Sequence, residues 1–229
     1  MRTCVIIPTY NEAPGIGKLA REIREQNLDV LVVDDGSKDN TSQIAINNGA
    51  VVLRNEDNQG KGASLIKGFN YALSQEYDAV ITMDGDGQHL SEDLPYFMHL
   101  AKYSSNAIFI GNRMFKTKNM PLIRFLTNRF MSWFISCLAK QRIPDTQCGF
   151  RLFKKDVLKR LNLVTSKYET ESEILIKGSR LGYKIESVPI KAVYLNEGSH
   201  INPFIDTLRF IRFIIKDLWT TNQSHRVGV

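Results

Sequence analysis

Short apolar runs alternate with stretches of helical periodicity through the first half of the chain. Apolar runs of four to eight residues are typical of buried strands, and apolar positions recurring every three to four residues are typical of helices. The predicted strands are residues 4–7, 30–33, 51–53, 79–82 and 107–110, and helices predicted between them include 16–23, 42–46 and 64–73. This alternation predicts an α/β fold, a mostly parallel sheet with helices on both faces.

Polar segments whose side chains could bind a ligand follow three of the predicted strands. Pro8-Thr-Tyr-Asn-Glu12 follows the first, Asp34-Asp-Gly-Ser37 the second and Asp84-Gly-Asp-Gly-Gln88 the fourth. In open α/β sheets the ligand crevice lies outside the carboxyl ends of the strands. We therefore expect the three segments to meet at one edge of the sheet.

Asp84 and Asp86 are the most informative pair in the chain. A hard divalent cation takes oxygen ligands and keeps coordination positions for water or substrate phosphates, so two carboxylates at a strand end suit a nucleotide diphosphate. Gly85 and Gly87 allow the backbone to approach closely. Aspartate and glycine are also common turn residues, so the same four residues fit an ordinary turn.

The other loops offer groups that suit a nucleoside. Tyr10 provides a ring for stacking on a base, Glu12 can accept hydrogen bonds from ribose hydroxyls, and Asp35 can accept from a base N–H. The turn Gly60-Lys-Gly62 fits either a plain helix start or a phosphate-binding turn.

Two segments of the second half predict amphipathic helices. Residues 121–140 place Arg124, Asn128, Ser132 and Ser136 at intervals of four on an otherwise apolar helix, and residues 203–219 repeat this pattern. Such helices are either largely buried or lie in the plane of a membrane surface. No apolar run approaches the ~20 residues of a membrane-spanning helix. Residues 220–229 are polar and are expected to form a flexible tail.

Composition narrows the choice of partners. The 229 residues carry a net charge of +6, which favours an acidic partner such as anionic lipid or a phosphorylated substrate. Nucleic acid is not expected, because the cations are not interleaved with aromatic residues on a strand platform. Cys4, Cys137 and Cys148 have the spacing of neither a disulfide framework nor a zinc site. We expect a cytoplasmic protein without a signal peptide.

Taken together, the motifs resemble those of the family 2 nucleotide-sugar glycosyltransferases, which share the GT-A fold, and within that family the polyprenyl-phosphate sugar synthases such as the dolichyl-phosphate mannose synthases. The resemblance runs from Thr3 to about Trp219. Its motifs are Pro8-Thr-Tyr-Asn-Glu12, Val33-Asp-Asp-Gly-Ser37 with Asp39, Met83-Asp-Gly-Asp-Gly-Gln-His89, Gly111-Asn-Arg113 and Asp145-Thr-Gln-Cys-Gly-Phe-Arg151.

The resemblance implies a role for each matching residue. The residues implied to hold the donor are Pro8, Tyr10, Glu12, Val33, Asp35, Asp84, Gly85 and Asp86. The cofactor implied is Mg²⁺ or Mn²⁺, surrounded by Asp84, Asp86 and Gln88. Asp86, Arg113 and Arg124 are implied to be catalytic, with both arginines on phosphate. His200 stands where relatives carry a lysine in a basic acceptor loop, and the arginine of that loop is absent.

The implied activity is inverting transfer of a hexose from a donor of the GDP-mannose or UDP-glucose type to a polyprenyl phosphate. The chain is expected to be one domain over residues 1–219, with a donor-binding part at 1–115 and an acceptor-binding part at 116–219. It is expected to associate peripherally with the inner face of the cell membrane, and an integral-membrane protein is a further candidate partner.

Two alternatives stay open at this point. A phosphate acceptor is already ionised and needs no general base, whereas a saccharide hydroxyl requires a carboxylate in reach, for which Asp145 and the run Glu169-Thr-Glu-Ser-Glu173 are candidates. The second alternative is a non-catalytic nucleotide-sugar-binding module at a membrane surface.

Overall fold

The computed structural model describes residues 1–87, 90–115, 117, 120–191 and 208–216. The strands are β1 (Thr3–Thr9), β2 (Asp29–Asp34), β3 (Val51–Arg54), β4 (Ala79–Thr82), β5 (Ile108–Asn112), β6 (Arg151–Lys154) and β7 (Ile185–Pro189). The α-helices are α1 (Ala13–Glu25), α2 (Thr41–Asn47), α3 (Lys61–Ser74), α4 (Leu94–Tyr103), α5 (Leu122–Ala139), α6 (Lys155–Arg160) and α7 (Glu169–Arg180). Residues 208–216 are also helical.

The strands form one seven-stranded sheet in the order β3-β2-β1-β4-β6-β5-β7. Neighbouring strands are parallel except where β6 pairs with β4 and with β5. The predicted α/β class and the five predicted strands are confirmed, and β6 and β7 are additions. β6 comes from the second half of the chain and lies between β4 and β5, so both halves contribute to one sheet.

The central strands are buried on both faces. Val5, Ile6 and Ile7 are consecutive residues of β1 and are all fully buried. Because successive side chains of a strand point to opposite faces, helices must cover the sheet on both sides. The register pairs Ile6 with Thr82 and Thr9 with Asp34, so β1, β2 and β4 end at the same edge. The three polar loops therefore begin close together.

Helix α5 faces the protein with its polar stripe. Asn128 and Ser132 are buried, whereas the large apolar side chains on the other side are mostly exposed. The Ser132 hydroxyl accepts a hydrogen bond from the backbone N–H of Thr146 at 2.9 Å. Ser136 makes equivalent contacts with the backbone of Ile143. Of the two interpretations left open for this segment, a helix largely buried in the core does not fit α5, and the membrane-surface interpretation stays a prediction.

The C-terminal helical segment 208–216 packs beside α5. The rings of Phe134 and Phe210 meet edge to face with centroids 6.0 Å apart, and Phe213 and Ile214 are buried in the core. The exposed large apolar side chains of both helices are Leu122, Ile123, Leu126, Phe130, Trp133, Leu208, Ile211 and Ile215, here called the apolar face. No helix within the described ranges has the length and apolarity to cross a bilayer.

The orientation of α5 generates a stability prediction. Ser132→Ala leaves the buried N–H of Thr146 without its acceptor, which costs about 1–3 kcal/mol of unfolding free energy. Ile123→Gln replaces a side chain that is 81% exposed and should change stability by less than about 0.5 kcal/mol. Urea unfolding of both variants measures the two values. A larger loss of stability in Ile123→Gln than in Ser132→Ala would mean that the apolar side of α5 faces the protein.

Candidate active site

The loops that follow β1 and β2 are joined by side-chain hydrogen bonds. The backbone N–H of Asn11 donates to Ser37 Oγ, and the Asn11 side-chain oxygen accepts from the N–H of Lys38, both at 2.8 Å. The N–H of Glu12 donates to Thr41 Oγ1 at 2.9 Å, and the N–H of Ala13 donates to Asp39. The polar residues of both motifs thus fix one loop against the other. Tyr10 and Glu12 are carried on this framework.

Asp39 is a structural member of that framework. Burial opposes its ionisation, but hydrogen bonds from the hydroxyl and N–H of Thr41 and from the N–H of Ala13 hold the pKa of Asp39 below its ordinary value. The charged carboxylate therefore persists down to lower pH than a solvated one would. Its role in joining the loops is one that the sequence motif alone did not reveal.

Asp35 is buried, and its carboxylate accepts three hydrogen bonds. The donors are the Asn55 side-chain amide at 2.8 Å, the Gln59 N–H at 2.9 Å and the Gly60 N–H at 2.7 Å. Asp35 therefore anchors the loop that precedes α3. Val33 is fully buried, so any part it plays in holding a ligand falls to its backbone.

The loop after β4 lies directly beside the first loop. A Cβ added to Gly85 would sit 3.3 Å from Glu12 Cγ, and one added to Gly149 would sit 2.6 Å from Asp84 Cγ. The absence of a side chain at Gly149 therefore makes room for the Asp84 carboxylate. Asp84 and Asp86 are both half-buried, so the structure brings the predicted acidic pair to the edge where Glu12 lies.

Lys61 connects Asp84 to the second half of the chain. Its Nζ lies 2.6 Å from Asp84 Oδ1 and 2.9 Å from Glu171 Oε2, with the lysine side chain 19% exposed. Behind Glu171, the fully buried Arg151 donates to the Glu171 carbonyl at 2.6 Å and lies 3.6 Å from its carboxylate. We call these four residues the Lys61 network. It joins the loop after β4 to α3, β6 and α7.

The charge of Lys61 is secured by its neighbours. Burial alone would lower the pKa of Lys61, but the carboxylates of Asp84 and Glu171 raise it well above its ordinary value. The ammonium group therefore stays protonated throughout the physiological pH range.

Close packing explains the glycines on either side of Lys61. A Cβ added to Gly60 would lie 2.7 Å from the carbonyl oxygen of Ser166, and one added to Gly62 would lie 2.6 Å from that of Lys167. Gly60 also has φ +105°, a conformation that favours glycine. The Gly-Lys-Gly turn is thus a helix start, as one of the two interpretations had it, and its lysine binds carboxylates in this structure.

Arg113 and Asp145 form a buried pair. The Arg113 guanidinium donates to both oxygens of Asp145 at 2.8 and 3.0 Å, and the Arg113 N–H donates to the same carboxylate at 3.0 Å. Asp145 is fully buried. Arg113, like Arg124 on α5, stays a predicted phosphate ligand, and its guanidinium is already oriented by Asp145.

The other acidic candidates differ in their surroundings. Glu173 is fully buried, accepts hydrogen bonds from the N–H groups of Val164 and Thr165, and pairs with Lys177 at 2.5 Å. Glu171 belongs to the Lys61 network. Glu169 Oε2 is buried and accepts no hydrogen bond within the described part of the chain.

A cavity of about 590 Å³ opens at the ends of β1, β2 and β3. Its lining residues are Tyr10, Gly36, Ser37, Lys38, Asp39, Arg54, Glu56, Asp57 and Asn58. Tyr10 is the one predicted nucleoside-binding residue in that lining. The cavity is large enough for a nucleoside and is mainly polar in its residues.

The acidic pair fits a hard divalent cation by the chemistry of its donors. Asp84 and Asp86 supply carboxylate oxygens at a strand end, and Gly149 leaves the space that the first carboxylate occupies. Within the described ranges, no three histidine, cysteine, aspartate or glutamate side chains converge as a preformed metal cluster. Gln88 and His200, predicted for the metal and the acceptor phosphate, lie outside the described residues.

The comparisons with known proteins agree with this architecture. A solved structure of Mycobacterium tuberculosis glucosyl-3-phosphoglycerate synthase, in complex with Mn²⁺, UDP and glucosyl-3-phosphoglycerate, is similar with a TM-score of 0.71 over 95% of this chain and 78% of its own. Sequence identity is 19%, so this likeness establishes the GT-A fold.

Sequence comparison identifies the family. The model of glycosyl transferase family 2 matches residues 4–161. A Methanococcus voltae protein named UDP-N-acetylglucosamine–dolichyl-phosphate N-acetylglucosaminyltransferase is 33% identical, covering 83% of this chain and 85% of its own. An undecaprenyl-phosphate mannosyltransferase of Micrococcus luteus is 32% identical over 84% of each chain. The chain belongs to glycosyltransferase family 2, and it is a glycosyltransferase.

The close approach of Gly149 to Asp84 can be tested by stability. Gly149→Ala should lower the unfolding free energy by about 1–3 kcal/mol, because the added methyl group meets the Asp84 carboxylate. Gly15→Ala, whose added Cβ would meet its nearest neighbour at 3.5 Å, serves as the matched control and should not destabilise.

A double-mutant cycle assigns the cause. In the Asp84→Ala background the cost of Gly149→Ala should shrink, because the obstructing carboxylate is gone. An equal cost in both backgrounds would contradict the placement of Asp84 against Gly149.

Proposed function

We propose that this glycosyltransferase transfers a hexose, or an N-acetylhexosamine, from a nucleotide diphosphate sugar to a polyprenyl phosphate, with inversion at the anomeric carbon. The family assignment supplies the reaction class. Relatives that cover more than four fifths of this chain carry names that specify dolichyl phosphate or undecaprenyl phosphate as acceptor. The sugar in these names is N-acetylglucosamine in one case and mannose in the other, so the proposal leaves the sugar and the donor base open.

The observation that carries the acceptor proposal is the state of the candidate general bases. Asp145 is fully buried and bound by Arg113, Glu173 is fully buried among its donors, and Glu171 binds Lys61. A carboxylate held this way is poorly placed to take a proton from an acceptor hydroxyl. A phosphate oxygen is already ionised and requires none of them.

The remaining steps are alignment and charge neutralisation. Asp84, Asp86 and Gln88 would hold Mg²⁺ or Mn²⁺, which would neutralise charge on the departing diphosphate. Asp145 holds the Arg113 guanidinium in one orientation. Because less side-chain entropy is then lost on binding, this orientation would favour an interaction with phosphate oxygens. Arg124 on α5 would contribute a second cation for phosphate. These residues orient donor and acceptor for direct displacement.

Transfer to a saccharide hydroxyl is the second candidate function, and Glu169 is the residue that favours it. Its buried Oε2 accepts no hydrogen bond within the described part of the chain, so this oxygen has no donor to lose before it could take a proton. The Glu169→Gln variant separates the two functions. A hydroxyl acceptor requires the carboxylate, whereas transfer to a phosphate should retain most of its rate.

The direct test is a transfer assay with radiolabelled nucleotide sugars, Mg²⁺ or Mn²⁺, and undecaprenyl or dolichyl phosphate. We expect label in the organic phase with at least one GDP- or UDP-sugar.

Asp86→Ala should lower the rate by at least about a hundredfold while the melting temperature stays within a few degrees, because a metal ligand acts on transition-state charge more than on the core. Absence of lipid-linked label with every donor would overturn the proposal, and full activity of Asp86→Ala would overturn the metal site.

We further propose that the apolar face rests on the membrane that holds the acceptor. Its side chains project from α5 and from residues 208–216, and Ile123 and Ile215 are 81% and 64% exposed. Arg129, Arg209 and Arg212 are exposed on the same two helices, which suits anionic headgroups. A helix with one apolar side and cationic neighbours lies in the plane of a bilayer surface.

Trp133 makes this contact measurable. The chain has two tryptophans, so Trp219→Phe leaves Trp133 as the sole reporter. Vesicles of phosphatidylcholine and phosphatidylglycerol should shift its emission to shorter wavelength. Leu126→Glu with Phe130→Glu should weaken vesicle binding at least about tenfold, and Ile46→Glu on α2 should not.

Equal vesicle binding by the double variant and the Ile46 control would contradict membrane contact through the apolar face. If the chain associates with membranes only when an integral-membrane protein is co-expressed, the apolar face would be assigned to that protein instead.

A further inference from the structure

The Lys61 network places a permanent cation on a carboxylate that is expected to bind metal. Lys61 Nζ lies 2.6 Å from Asp84 Oδ1, which is the distance of a short charge-assisted hydrogen bond. A divalent cation on that oxygen would be repelled by the ammonium group, because the two like charges would lie only a few ångströms apart. Metal binding through Asp84 Oδ1 is therefore expected to compete with Lys61.

We propose that Lys61 is a positioning residue that acts as a placeholder cation on Asp84 in the ligand-free enzyme and transfers to the donor diphosphate when metal and donor bind together. This inference rests on the proposed function. It adds an order to binding: metal alone competes with Lys61 for Asp84, whereas metal accompanied by a diphosphate offers the lysine a new anionic partner.

The geometry allows this movement without loss of the second contact. Lys61 Nζ has three donor hydrogens on a flexible four-carbon stem, and its bond to Glu171 does not depend on Asp84. Glu171 is itself held near Arg151, and the loop before Lys61 is anchored on Asp35. The Lys61 ammonium group can therefore move from the Asp84 carboxylate to a phosphate oxygen while its backbone and Glu171 stay in place.

The arrangement also explains how the acidic pair is tolerated before ligands arrive. A partly buried carboxylate needs a counter-charge or donors, and Asp84 is only 25% exposed. Lys61 contributes that charge within the described structure. The site can thus be preformed without a bound metal, at the cost of weaker affinity for metal alone.

The test measures Mn²⁺ binding to the nucleotide-free protein, by the loss of the free Mn²⁺ signal in electron paramagnetic resonance. Lys61→Met should raise the affinity about tenfold, because the competing cation is removed. Lys67→Met is the matched control, because Lys67 is on the same helix and donates hydrogen bonds to the Arg54 carbonyl and the Asn55 side-chain oxygen. It should leave the affinity unchanged. Glu171→Gln should lower the Mn²⁺ affinity, because Lys61 then interacts with Asp84 alone and competes more strongly with the metal.

A second titration in saturating UDP or GDP tests the transfer. The difference in Mn²⁺ affinity between wild type and Lys61→Met should shrink below about twofold, because Lys61 then binds the diphosphate and no longer competes for Asp84. Structural damage weakens a metal site, so a gain in affinity separates the placeholder role from misfolding.

Unchanged or weaker Mn²⁺ binding by Lys61→Met, or a gain in Glu171→Gln, would overturn the inference. Absence of Mn²⁺ binding in every variant, with and without nucleotide, would overturn the metal site of the proposed function as well. Lipid-linked transfer can fail while the Mn²⁺ pattern holds, so the two proposals are distinguishable.

Discussion

Acidic side chains gathered at the carboxyl edge of the sheet impose the main constraint on this structure. A buried or half-buried carboxylate is stable only with a cation or several donors beside it. Asp145 has Arg113, Asp84 has Lys61, and Asp35 has two backbone N–H groups and an amide. Each match fixes a loop, because the donor and the acceptor come from different elements. Ion pairs and hydrogen bonds to these carboxylates thus set the geometry of the site.

The same matches join the two halves of the chain. Lys61 is separated from Glu171 by 110 residues, and Arg113 from Asp145 by 32. Strand β6 adds a backbone link, since it lies between β4 and β5. The donor-binding part predicted from residues 1–115 therefore depends on later residues for its charge balance. An acceptor bound by the second half would be held in a fixed relation to the donor edge.

The sequence predicted what local pattern encodes. Strands β1, β2, β4 and β5 were found because strands buried on both faces have uninterrupted apolar runs, and the acidic pair was found because it follows such a run. Strand β3 is more exposed, and it was found from its short apolar run alone. Strand β6 was missed, because Arg151 and Lys154 bound it with charge. Arg151 is buried because carbonyls of Thr146, Cys148 and Glu171 accept its hydrogen bonds, which no local pattern reveals. The polar stripe of α5 was predicted, but its inward direction depends on partners beyond the helix.

Two independent features support the proposal of a lipid-linked phosphate as acceptor. Asp145, the base candidate aligned with the family motif, is buried under Arg113, which suits an acceptor that arrives ionised. The apolar face exposes large side chains that a purely aqueous reaction would not require, such as Ile123 and Trp133. A polyprenyl phosphate presents its charged group at the membrane surface, so it needs an enzyme with both properties. Transfer to a saccharide hydroxyl would instead require an available base, for which Glu169 is the candidate.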